Sequence, residues 1–168
     1  MTRRVYTILF IFFAQMWSLA QSADILTIRK YHQQNANKII SEFSTFLALP
    51  NLARDPQNIT KNAEFISSMM RDRGIQNVQL LSGVTDKVPP VVYGEVNVPG
   101  ASQTIIFYAH YDGQPVNPAQ WAQGLEPFTP KLFTGALDQG GSNIPFPSDN
   151  HYNKDWRIYG RSASDDKA

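Results

Sequence analysis

The chain has 168 residues, enough for one domain of ordinary size, and a formal net charge of +1. No cluster of Lys and Arg is dense enough to neutralise a row of phosphates, which excludes a nucleic-acid partner. There is no cysteine, which excludes disulfides, thiolate metal ligands, a cysteine nucleophile and lipid attachment at a cysteine, so any metal must be held by His, Asp or Glu.

At the start, Arg3 and Arg4 precede an uninterrupted, mostly apolar run at 5–14, and Ser18-Leu19-Ala20 puts small residues where a signal peptidase reads. Residues 1–20 are expected to be a secretory signal peptide cleaved after Ala20, with residues 21–168 exported to a periplasm or the extracellular space. A membrane anchor is the weaker reading, because a spanning helix needs roughly 20 apolar residues and Gln15 breaks this run. No second long apolar run follows, so no membrane contact is expected after cleavage.

Residues 24–49 place Ile25, Ile28, Ala36, Ile39, Ile40, Phe43, Phe46 and Leu47 largely at helical spacing, and Pro50 ends the pattern. Residues 51–57 read as a loop. Asn58 is expected to cap a second helix with Ile59, Ala63, Ile66 and Met70 on one face, and Gly74 suits the position just past its end. Asn58-Ile59-Thr60 also fits the glycosylation pattern, with the cap as the favoured use.

Short apolar runs at 78–81, 91–96 and 104–109 carry β-branched and aromatic residues and are bounded by Gly, Pro and Asn. Residues 91–96 half-alternate, as a strand with one solvated face would, whereas residues 104–109 (TIIFYA) predict a strand buried on both faces. Residues 117–153 are rich in Pro, Gly, Asn and Gln and predict a long functional or inserted loop, most flexible at 135–149. Residues 156–159 predict another strand, broken by Gly160. Helices followed by strands around a buried central one indicate an α/β domain.

Two stretches carry chemistry. His110 and Asp112 follow the predicted central strand, at the sheet edge where open α/β sheets bind ligands. His110 offers an imidazole nitrogen suited to zinc, and Asp112, two residues on, can orient the ring through its other nitrogen. Gly113 and Pro115 turn the chain away. The second stretch, residues 160–167, also follows a predicted strand and ends in Asp165 and Asp166; a carboxylate can bridge two cations of a two-metal site. For Asp166 and Lys167 the plainer expectation is a solvated acid–base cluster at a helix start.

The sequences HYDGQPV at 110–116, QW…EPFTPKL at 120–132 and WRIYGRSASDDKA at 156–168 resemble the aminoacylase/carnosinase/glutamate-carboxypeptidase family of zinc peptidases (the family-M-twenty metallopeptidases), most closely its carnosinase-like dipeptidase branch. The family's His-x-Asp-x-x-Pro is matched by His110, Asp112 and Pro115, and its Gly-Arg-Gly-x-x-Asp-x-Lys-Gly by Gly160, Arg161, Asp165 and Lys167. Phe46-Leu47-Ala48-Leu49-Pro50 matches a further short segment. Ser162 and Ala168 stand where glycine is usual, which matters where the backbone needs a positive φ.

The resemblance implies a mixed-sheet catalytic domain with flanking helices, of which this chain is the N-terminal part, incomplete at its C-terminus. It implies that His110 binds one metal, Asp112 orients it, and Asp165 bridges two zinc ions, with manganese or cobalt as alternatives. The implied substrate is a small peptide or N-acyl amino acid. The glutamate base, the remaining ligands and a dimerising domain are expected beyond these residues, so the chain alone is expected to turn over no substrate. Two other readings use the same residues: a non-catalytic metal or ligand binder on the same scaffold, and an exported adhesion or structural domain with His110, Asp165 and Asp166 as ordinary surface groups.

Overall fold

The computed structural model describes residues 2–83, 85, 88–165 and 167, with side chains from residue 23 onward. The chain is mixed α/β: helices α1 (Thr2–Ala48) and α2 (Pro56–Asp72) precede strands β1 (Gln76–Leu81), β2 (Val91–Glu95), β3 (Lys131–Phe133), β4 (Asn143–Ile144) and β5 (Arg157–Tyr159). It divides into two compact units, Met1–Ile39 with Pro147–Tyr152, and Ile40–Phe146 with Asn153–Ala168. Among the described residues no helix is long and apolar enough to cross a membrane.

In the first unit the 147–152 segment is tied to α1 by asparagines. Asn37 donates through Nδ2 to Pro147 O at 3.1 Å, and Asn150 donates through Nδ2 to Gln34 O at 2.8 Å. The first bond satisfies a loop carbonyl that regular structure does not reach, and the second attaches the segment to a carbonyl of α1 itself. The helix itself begins well before residue 24, where the sequence pattern places its start, because neither Pro nor Gly interrupts residues 2–48.

In the second unit Phe46 and Leu47 of α1 and Ile59 and Ala63 of α2 are all buried. Phe46 stacks on Phe65 with ring centroids 5.4 Å apart. The expected face of α2 is only partly the buried one: Asn62 and Ser67 join Ile59 and Ala63 in full burial, while Ile66 and Met70 are half-buried. Asn62 fits because its Nδ2 donates to Pro50 O at 2.8 Å and Asn58 O at 2.7 Å, fastening α2 to the end of α1.

The cap of α2 differs from the expectation at Asn58. Asp55 is the N-cap, followed by Pro56 at the first helical position, and its carboxylate accepts from Asn58 N at 3.1 Å and Asn58 Nδ2 at 2.6 Å. Asp followed by Pro is the stronger start signal, since Pro supplies the helical φ and needs no donor there. At the other end Gly74 takes φ +74, as a residue just past a helix does.

α2 packs on the antiparallel pair β1–β2. Gly94 of β2 is needed there, because a Cβ would lie 2.7 Å from Ile75 Cγ2. A separate three-stranded antiparallel sheet has the order β4-β3-β5, with Leu132 and Phe133 buried and Phe133 edge-on to Tyr159 at 5.1 Å.

Two sequence expectations are overturned. Residues 104–109 form no strand and are not buried: Ile105, Ile106, Phe107 and Tyr108 are 75%, 86%, 91% and 88% exposed. The composition favours a strand, but a strand exists only by pairing, and among the described residues nothing pairs with this one. Conversely, the 117–153 region is not all loop, because it supplies β3 and β4. Their connection is closed by Thr134 and Ser142, which exchange two bonds of 3.0 Å. Strands of two or three residues are too short to show a period of two.

The Asn58 amide holds the Asp55 carboxyl below the usual carboxylate range, with the Asn58 side chain adding to it. A depressed folded-state pKa gives a contribution that is complete above about pH 4 and is lost as the pH falls through the folded value. Asp55→Ala should therefore lower the melting temperature at neutral pH, and the melting curves of the two proteins should converge under strong acid. A gap that persists in acid would contradict this cap.

Candidate functional site

The site is built on the chain that leaves α1. Leu52 makes a parallel bridge to Gly113; Gly113 N donates to Asn51 O at 2.6 Å and Ala53 N donates to Gly113 O at 3.2 Å. The segment carrying His110 and Asp112 is thus held by one rung of β-type pairing rather than by a sheet edge. A Cβ at Gly113 would lie 3.0 Å from both terminal atoms of Asn51, so a larger residue would force the Asn51 side chain to shift.

His110 Nδ1 lies 2.8 Å from Asp112 O and 3.3 Å from Asp112 Oδ1. A carbonyl oxygen only accepts, so Nδ1 carries the proton and donates. Asp112 therefore orients the ring through its backbone at least as much as through its carboxylate. Next to it, Tyr111 is anchored by its hydroxyl, which donates to Pro90 O at 2.6 Å; burial, with the Asp112 charge adding to it, raises its pKa and keeps that donor protonated.

Asp165 stands on the other side of the ring, with Oδ1 3.3 Å from His110 Nε2. The structure brings all three expected residues together. With Nδ1 protonated, neutral His110 presents a lone pair to a carboxylate oxygen, which also has only lone pairs. That facing is repulsive unless a proton or a cation lies between them. Two ligands of one tetrahedral zinc, at bond lengths of about 2.0–2.1 Å, stand roughly 3.3 Å apart. The donor pair thus fits a divalent metal. Among the described residues no group of three or more His, Asp or Glu side chains is disposed to hold an ion.

The Asp165 turn is fixed by residues outside the expected site. Arg161 Nη1 is 3.6 Å from Asp165 Oδ2, while its Nε and Nη2 donate to Gln114 O at 3.4 and 3.3 Å and its backbone N donates to Pro127 O at 2.6 Å. Ser162, which replaces the usual glycine, takes φ +65. A side chain in that region costs roughly 1–2 kcal/mol. The buried Ser162 Oγ accepts from Asn51 Nδ2 at 3.1 Å, and a net gain of about 0.5–1.5 kcal/mol from such a bond offsets much of that strain.

Lys167 is not the solvated lysine expected. It is buried, and its Nζ donates to Phe46 O at 2.8 Å and Leu49 O at 3.0 Å and lies 4.2 Å above the Phe46 ring centroid. α1 has no basic residue in its last turn, so Lys167 supplies the charge its terminal carbonyls favour. Burial lowers the ammonium pKa to about 8, leaving it protonated near neutral pH. Residues 161–164 form a turn rather than the helix start considered for this cluster; Asp166 and Ala168 lie outside the described residues.

The chain is 26% identical over 143 residues to the Cys-Gly metallodipeptidase DUG1 of Candida albicans, a match covering 77% of this chain and 25% of that protein. This chain is similar to a metallodipeptidase. The likeness supports a metallopeptidase relationship and, with it, a metal cofactor. The chain spans about a quarter of the length of the curated relative it matches. No family model and no solved structure matches it.

Replacing Lys167 by Met keeps the apolar stem over Phe46 but removes the donor from two carbonyls. It should lower the unfolding free energy by about 1.5–3 kcal/mol, the range for bonds to a charged partner, read from the denaturant midpoint. An unchanged midpoint would mean that Nζ does not secure the end of α1.

Proposed function

We propose that this chain carries part of the metal site of a hydrolase that cleaves an amide bond in a small peptide or N-acyl amino acid. The reading follows the aminoacylase/carnosinase/glutamate-carboxypeptidase resemblance and its dipeptidase branch. The observation that carries it is the 3.3 Å separation of His110 Nε2 from Asp165 Oδ1, with Nδ1 already committed to Asp112. The likeness to a metallodipeptidase supports it independently.

Each residue has a distinct task. His110 would hold the metal through Nε2, because its other nitrogen is occupied. Asp112 sets the tautomer and the ring plane, a role that raises ligand basicity. Asp165 would hold the metal through Oδ1, with Arg161 beside Oδ2 limiting its rotation. A divalent ion here, zinc in the first instance, supplies Lewis acidity toward the scissile carbonyl and acidifies a water. The same proposal includes a second zinc bridged by Asp165, and a glutamate base with further ligands outside these 168 residues. Export of the chain through residues 1–20, and a dimerising domain elsewhere, belong to it as well.

Zinc titration followed by melting tests this. A ligand at a hundredfold excess over its Kd adds about 2.7 kcal/mol to the folded state. The unmodified chain should show a zinc-dependent rise in melting temperature, and His110→Ala and Asp165→Ala should each remove most of it. An unmodified chain that is indifferent to zinc, or variants that respond as it does, would defeat the assignment.

A further inference from the structure

The two stretches that carry the candidate ligands meet at a single side chain. Asn51 is 1% exposed. Its Nδ2 donates to Tyr111 O at 3.1 Å, 60 residues along the chain, and to Ser162 Oγ at 3.1 Å, 111 residues along. A primary amide has two N–H groups, and both are used. The orientation is fixed, because the reverse would set the amide oxygen against the Tyr111 carbonyl. Its Oδ1 is buried with no hydrogen-bond partner among the described residues. The side chain is therefore placed by its donors alone.

Each of these contacts lies at the root of a candidate ligand. Tyr111 sits between His110 and Asp112, and Asn51 O also receives Gly113 N. Ser162 starts the turn whose end is Asp165, with Asp165 N 3.4 Å from Ser162 O. We propose that Asn51 is a positioning residue that clamps the His110 loop to the Asp165 turn and so sets the separation of His110 Nε2 from Asp165 Oδ1. The clamp depends on Ser162: a glycine there would adopt the left-handed backbone freely but offer Asn51 no hydroxyl. The departure of this chain from the usual glycine thus has a function of its own. Arg161 gives a parallel tie through Gln114 O.

Hydrogen–deuterium exchange of the metal-free 168-residue chain, together with zinc affinity by chelator competition, tests the clamp. The variants are Asn51→Ala and Ser162→Gly. Ser162→Gly relieves the positive φ, so it should hold or raise the melting temperature. It should nonetheless speed exchange in residues 110–113 by about tenfold, as a loop losing a tie opens more often. Both variants should weaken zinc binding about 10–100-fold, as lost support behind a metal ligand does. If exchange in 110–113 is unchanged in both, or zinc affinity is unchanged while exchange rises, the proposal is overturned. If Asn51→Ala fails to fold, Ser162→Gly decides alone. The zinc arm rests on the metal reading above and the exchange arm does not. A chain that binds no zinc would remove that reading, while exchange would still judge the clamp.

Discussion

The last turn of α1 and the loop that leaves it carry carbonyl groups that the helix does not satisfy, and distant parts of the chain converge to satisfy them. Lys167 bonds Phe46 O and Leu49 O, Asn62 of α2 bonds Pro50 O, and Gly113 N bonds Asn51 O. Phe46 O is one of the acceptors that the end of a helix leaves open, and Leu49 O, Pro50 O and Asn51 O belong to the loop that follows Ala48; leaving one of them buried without a donor costs about 1–3 kcal/mol. That constraint brings the His110 loop and the Asp165 turn to one place. The candidate site is a by-product of how this terminus is closed, and its precision depends on the same bonds.

From there the chemistry is a matter of lone pairs. Asp112 O accepts a hydrogen bond from Nδ1–H, and in the neutral ring His110 Nε2 is then an acceptor 3.3 Å from another acceptor, Asp165 Oδ1. The side chains of His110 and Asp165 are 40% and 37% exposed, so water partly screens the interaction between them.

What the sequence made legible was local. His110, Asp112 and Asp165 are recognisable because their motif is short and its spacing survives in the chain. The two-helix start was legible from apolar periodicity and from Pro50. What stayed hidden was long-range. Nothing near Asn51 marks a residue whose partners are 60 and 111 positions away, and Lys167 looks like surface until α1 is seen beneath it. Residues 104–109 misled for the opposite reason: the composition of TIIFYA states a preference for pairing, and pairing is decided by the rest of the fold. Asn58 does not cap α2, because Asp55-Pro56 three residues earlier competes for the same role and wins.

Anomalous diffraction at the zinc edge from zinc-soaked crystals addresses the central claim most directly. The account predicts a zinc peak bonded by His110 Nε2 and Asp165 Oδ1, with Nδ1 still on Asp112 O. Zinc on Nδ1, zinc held by the Asp112 carboxylate in place of Asp165, or no peak between the two side chains would contradict it.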